Sequence, residues 1–111
     1  MKRAEHQPTT ELLVYAGIFC KVWTVADAGT LLPQHSHQWD HISLIVAGSV
    51  QIWRGDEDIG DYHAPAMVRI PAHTFHKFLT LSPGVVIACV HAVGEADAVV
   101  VEREHAIDME D

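Results

Sequence analysis

The stretch that decides the fold runs from Gly29 to Gly48 and reads GTLLPQHSHQWDHISLIVAG. Within it His35, His37 and His41 lie close together. Neutral imidazole is the commonest metal ligand in proteins. Side chains two residues apart on a strand point to the same side, so His35 and His37 can converge on one ion. The stretch therefore predicts a divalent metal site on a β-strand.

The third histidine adds a geometric condition. Four residues of straight strand span about 13 Å, which is too far for side chains at its two ends to share an ion. If His41 is a ligand together with His37, the intervening Gln38-Trp39-Asp40 must bend or bulge, as strands often do beside active sites. His76, much later in the chain, is the fourth candidate ligand and would be brought in by antiparallel pairing.

Short runs rich in β-branched and aromatic residues fill the rest of the chain, separated by glycine, proline and aspartate turns. This composition favours strands over helices. The pair Gly48-Ser49 between two such runs predicts a β-hairpin. Eight or nine short strands without a long helix indicate an all-β sandwich or barrel. The predicted strands are Ile18–Val25, His41–Ala47, Val50–Arg54, Asp58–His63, Ala66–Ile70, Phe75–Leu81 and Val85–Val93, with Ala98–Glu102 as a last strand, a short helix or part of a loose tail.

The spacing Gly-x5-His-x-His-x3-His-x6-Gly from Gly29 to Gly48 resembles the first motif of the cupin superfamily, Gly-x5-His-x-His-x3/4-Glu-x6-Gly. The second cupin motif is matched more loosely from Pro65 to Thr80, with Pro71 and His76 at its proline and histidine positions. The resemblance implies a small double-stranded β-helix, that is, a jelly-roll barrel. It also implies one metal ion, with these ligands: His35, His37, His41 and His76.

The departures from the family pattern concern both motifs. His41 replaces the glutamate of the first motif, while Pro65, His73 and Thr80 replace two glycines and an asparagine of the second. Four neutral ligands would leave the ion its full double charge, which favours an anionic or chelating ligand. An all-imidazole site does not choose the metal by itself. Iron, zinc, nickel, manganese and copper all stay open as the cofactor.

Several further residues are candidates for a pocket around this site. The predicted pocket residues are Trp39, Phe75, Cys89 and His91. The alternative for Trp39 and Phe75 is a place in the core or at an interface, and for Cys89 and His91 it is packing in the core. The catalytic residue is not determined by the sequence, and His91 and His73 are the candidates for a general base. Asp40 is expected to support a ligand or to face solvent. Arg54 and Arg69 are expected in exposed salt bridges, with a substrate carboxylate as the alternative partner.

Composition limits the function classes. Fifteen acidic residues against seven basic ones give a net charge of −8, so the basic footprint needed for nucleic acid or an anionic membrane is missing. The longest apolar run is too short to span a bilayer. Two cysteines without Cys-x-x-Cys spacing fit a reduced, cytoplasmic setting. The length predicts one domain, divided into a flexible arm (1–11), a barrel (12–102) and an acidic tail (103–111).

The resemblance implies a metal-dependent enzyme, either dioxygenase-like or an isomerase or lyase, that acts on a small anionic or chelating organic molecule. The alternative is a non-catalytic module that binds a small molecule or a metal, because fold does not fix function. A homodimer is also expected from the resemblance. In that dimer Leu12–Tyr15 would pair with the edge of a neighbour's sheet.

Overall fold

A computed structural model describes residues 7–34 and 40–93 of the chain. These residues form nine β-strands and contain no helix. The strands are β1 (Thr9–Tyr15), β2 (Ile18–Val25), β3 (Leu31–Gln34), β4 (His41–Ala47), β5 (Ser49–Arg54), β6 (Glu57–His63), β7 (Ala66–Ile70), β8 (His76–Thr80) and β9 (Val85–Ala92). The expected all-β class is confirmed.

Two antiparallel sheets pack face to face. The large sheet has the strand order β1-β2-β9-β4-β7, and the small sheet has the order β3-β8-β5-β6. Neighbours in sequence frequently lie in different sheets, so the chain crosses repeatedly from one sheet to the other. This is the arrangement expected of a jelly-roll barrel.

The core lies between the two sheets and follows the period-2 alternation of each strand. In β9 the side chains of Val85, Ile87, Cys89 and His91 are buried, whereas Val86 and Val90 on the opposite face are only half-buried. Each fully buried valine, isoleucine or phenylalanine contributes roughly 1.5–3 kcal/mol to folding. The main buried apolar cluster contains Val25, Leu32, Ile45, Val50, Ile52, Val68, Ile70, Phe78, Val85, Ile87 and Cys89.

The hairpin predicted at Gly48-Ser49 is wrong. β4 pairs with β7 and β9, whereas β5 pairs with β6 and β8, so the two strands belong to different sheets. Gly48 has a φ of +80°, and a Cβ at this position would lie 2.7 Å from Cγ2 of Val85. Gly48 is therefore a tight corner between the sheets, where only glycine fits without strain.

The boundaries of the domain also need correction. β1 begins at Thr9, so residues 9–11 of the predicted arm belong to the large sheet. Leu12–Tyr15 pairs with β2 of its own chain. The predicted strand Ala98–Glu102 and the acidic tail 103–111 lie outside the described residues. No helix in the described ranges is long and apolar enough to cross a membrane.

Candidate metal centre

His41 and His76 meet at one end of the barrel interior. His41 is the first residue of β4 in the large sheet, and His76 is the first residue of β8 in the small sheet. Both side chains point inward and are nearly buried, at 5% and 2% exposure. Their ring centroids lie 5.0 Å apart with the planes tilted by 53°. The fold therefore brings together two of the four predicted ligands, from opposite sheets.

The geometry of this pair fits a shared divalent ion. Two imidazoles that bind one ion through one nitrogen each, at about 2.0–2.1 Å, have centroids roughly 4.5–5.3 Å apart. Nδ1 of His76 lies 3.2 Å from the carbonyl oxygen of Thr74. Because a carbonyl only accepts, Nδ1 carries the hydrogen and the neutral ring keeps a lone pair on Nε2. This second hydrogen bond is typical of metal-binding histidines.

His35 and His37 lie outside the described residues, together with Trp39 and most of the predicted bend at Gln38-Trp39-Asp40. In the described part of the chain, no group of three histidine, cysteine or acidic side chains is arranged to hold a metal. β3 ends at Gln34, whose Cα pairs with His76, and β4 begins at His41.

His91 lies next to His41 on the inner face of the large sheet. Ile42 pairs with Val90, which places the inward side chains of His41 and His91 at neighbouring positions. His91 is 6% exposed and stacks on Phe19, with ring centroids 4.6 Å apart. Its Nδ1 lies 3.2 Å from the carbonyl oxygen of Ala92, and Nε2 is buried. The end of the barrel thus contains a histidine cluster of His41, His76 and His91.

Two other predicted residues lie away from this cluster. His73 is exposed in the turn between β7 and β8, with a φ of +59°. Phe75 is 62% exposed in the same turn, so its alternative assignment to the core is wrong, and its place in a pocket stays a prediction.

Asp40 organises the turn that leads to His76. Its Oδ1 accepts a hydrogen bond of 2.7 Å from the backbone N–H of Ala72, and its Oδ2 lies 4.0 Å from the Arg69 guanidinium. Both charged side chains of that ion pair are largely exposed, so the pair adds little stability. Arg54 similarly forms an exposed pair with Glu57 at 3.7 Å. Asp40 faces solvent, as expected, and links the start of β4 to the β7–β8 turn.

A row of three buried polar side chains lies beside the histidine cluster and was not predicted from the sequence. Lys21 of β2 pairs with Cys89 of β9, which pairs with Ser43 of β4. Their side chains face the interior at 2%, 5% and 0% exposure. Ser43 Oγ and Cys89 Sγ lie 3.6 Å apart, and Lys21 Nζ lies 4.8 Å from the centre of the Trp23 ring. The signal was available, because Lys21 alternates in phase with the apolar Phe19, Trp23 and Val25.

Comparison with known proteins places this architecture. No family model and no curated protein matches the sequence. The structure resembles a cupin superfamily protein from Desulfitobacterium hafniense, with a TM-score of 0.69, 18% identity and coverage of 85% of this chain and 84% of that one. It also resembles KdgF from Halomonas sp., with a TM-score of 0.67, 17% identity and coverage of 85% and 92%.

A third similar structure is the DMSP lyase DddQ from Ruegeria pomeroyi, with a TM-score of 0.67 and 17% identity. The match covers 79% of this chain and 47% of DddQ, so the chain spans about half the length of that protein. At these identities the likeness concerns the fold. The two antiparallel sheets, their crossovers and these structural matches together assign the chain the double-stranded β-helix fold of the cupin superfamily.

Proposed function

We propose that this protein binds one divalent transition-metal ion with His35, His37, His41 and His76, and that it is an enzyme for a small anionic or chelating organic molecule. The observation that carries the proposal is the buried pair of His41 and His76, whose rings lie 5.0 Å apart across the two sheets. The spacing of His35 and His37 supplies the other two ligands.

The orientation of the His76 ring supports this proposal. The hydrogen bond from Nδ1 to the Thr74 carbonyl leaves Nε2 as the nitrogen that can donate an electron pair to a metal. A bound first-row ion would act as a Lewis acid that polarises an oxygen of the ligand. With four neutral donors its charge would favour a carboxylate or an enolate.

The remaining interior residues would shape the pocket. The stack on Phe19 fixes the ring plane of His91, and its bond from Nδ1 to Ala92 leaves Nε2 as the nitrogen that can take up a proton. His91 is therefore the stronger of the two candidates for a general base, since His73 is exposed in a turn. Lys21 adds an amine to the same interior, one cross-strand position from Cys89. These groups suit a ligand with oxygen atoms at both ends.

Activity assays distinguish an enzyme, whether lyase or oxygenase, from a protein that only binds its ligand. Full-length protein loaded with iron(II), and separately with zinc, is assayed for oxygen uptake and for product formation on diketones, hydroxy acids and catechols. We expect turnover of at least one class, lost in His91→Gln. His63→Gln is the matched control, because His63 is exposed and hydrogen-bonds Ser49 at 2.7 Å far from the cluster. Metal binding without turnover of any class would favour the non-catalytic module.

A further inference from the structure

A cleft lies at the end of the large sheet where β4 begins and where β7 and β9 end. The inward-facing rings of His41 and His91 line its inner side, whereas Ile42 and Arg69 line it from the outer face of the sheet. Residues of both faces meet in one cleft because the strands end here. The cleft therefore leads from the exposed end of the sheet to the histidine cluster.

The cleft has the size and lining of a site for a small organic molecule. Its volume is about 220 Å³, which equals roughly seven water molecules at about 30 Å³ each. Apolar side chains form part of its wall, through Ile42, Val90 and Ala92. In such sites a few polar groups orient the ligand. Here those groups are the imidazoles on the inner side, and Arg69 with Asp40 on the outer side.

The strand register brings the two polar sides within reach of one molecule. Arg69 pairs with Ile42, and His41 directly precedes Ile42 in β4. With strands about 5 Å apart and a rise of about 3.4 Å per residue, the Cα atoms of Arg69 and His41 lie about 6 Å apart. Their side chains leave opposite faces of the sheet at its end. A small ligand in the cleft can therefore contact both around the start of β4.

The chemistry of Arg69 indicates which group of a ligand it binds. Its guanidinium lies 4.0 Å from Oδ2 of Asp40, which is longer than a hydrogen bond, so this contact does not use its N–H donors. Asp40 is itself held by the hydrogen bond of 2.7 Å from the N–H of Ala72, and it keeps the cation beside the cleft. The planar fork of a guanidinium matches the two oxygens of a carboxylate.

We propose that Arg69 determines specificity by binding a carboxylate of the ligand, and that the ligand is a small acid whose separate ketone, enol or hydroxyl oxygens face the histidine cluster. This inference rests on the proposed function and narrows its ligand to chelating molecules that carry an additional carboxylate. The chain has a net charge of −8. A local cation at the cleft is therefore needed to attract an acid to a protein that repels anions as a whole.

The test compares two diketones that differ only in charge, succinylacetone and its methyl ester, by isothermal titration calorimetry on the zinc-loaded full chain. We expect the acid to bind about tenfold or more tightly than the ester, because a charged bidentate contact is lost in the ester. Arg69→Gln should remove this preference and leave the affinity for the ester unchanged. The Arg69 side chain is 78% exposed, so the substitution spares the fold. Arg54→Gln is the matched control, since Arg54 forms a similar ion pair with Glu57 at 3.7 Å away from the cleft.

The zinc content of each variant separates this inference from the proposed function. If zinc-loaded protein binds acid and ester equally, or binds neither, the role of Arg69 is overturned while the metal centre stands. A preference for the acid that persists in Arg69→Gln, or that Arg54→Gln removes to the same extent, overturns it as well. A chain without stoichiometric zinc overturns the proposed function and this inference with it.

Discussion

Thr80 offers the sharpest test of how the barrel supports the metal site. The residue is buried, at 1% exposure. Its hydroxyl accepts a hydrogen bond of 2.9 Å from the N–H of Thr30 and donates one of 2.8 Å to the carbonyl of Asp27. These bonds hold the turn that leads into β3, the strand that ends beside His76. The cupin motif has asparagine at the position of Thr80. In this chain the threonine hydroxyl makes the two hydrogen bonds there.

The substitution Thr80→Val keeps the shape and removes the hydroxyl. A buried N–H left without its acceptor costs about 1–3 kcal/mol, and the lost bond to Asp27 adds about 0.5–1.5 kcal/mol. The free energy of unfolding should therefore fall by about 2–4 kcal/mol, which corresponds to a drop in melting temperature on the order of 10 °C for a domain of this size. Urea unfolding followed by circular dichroism measures the change.

Two controls decide whether the reasoning about Thr80 holds. Thr24→Val makes the same chemical change at an exposed position of β2 and should alter stability by less than about 0.5 kcal/mol. Thr80→Ser keeps the hydroxyl and should recover most of the loss. If Thr80→Val were no more destabilising than Thr24→Val, the two buried hydrogen bonds would not contribute as described.

Two further substitutions test the corner and the core, both by urea unfolding. Gly48→Ala adds a Cβ 2.7 Å from Cγ2 of Val85 at a φ of +80°, whereas Gly55→Ala, at a φ of +62°, meets nothing within 4 Å. We expect Gly48→Ala to cost clearly more than the roughly 1–2 kcal/mol of left-handed backbone strain that both share; equal losses would contradict the tight corner. Phe19→Ala removes a fully buried ring and should cost about 3–5 kcal/mol, against under about 1 kcal/mol for Phe75→Ala at 62% exposure. Comparable costs would contradict the assigned core.

Most of the fold was predictable because its strands are short, alternate clearly and end at glycine or proline. The resemblance of the Gly29–Gly48 spacing to the cupin motif implied the barrel, and the predicted strand from Val85 differs from β9 by one residue at its end. The error at Gly48-Ser49 has a physical cause. A glycine-serine pair between two strands is compatible both with a hairpin and with a corner between sheets, and only packing against Val85 distinguishes them.

The candidate site was predictable in its residue types but not in its surroundings. Spacing singled out His41 and His76, whose ring centroids lie 5.0 Å apart in the fold. Their role as metal ligands stays a prediction. The sequence did not determine whether the Phe75 ring is buried or exposed, because an aromatic residue next to a turn packs inward or outward according to its tertiary contacts. The sequence did not predict a buried Lys21, because lysine is almost never fully buried. Its charge indicated exposure, although its position in the alternation of β2 indicated the interior.

The most direct test of the central claim is the metal content of the full chain. Protein loaded with zinc and dialysed is analysed by mass spectrometry of the metal, beside His41→Ala, His76→Ala and the exposed control His63→Ala. We predict about one ion per chain in wild type and control, and a metal content well below one ion per chain in both site variants, because each loses a ligand. Wild type without stoichiometric metal, or site variants that bind like wild type, would contradict the assignment of His41 and His76 as ligands.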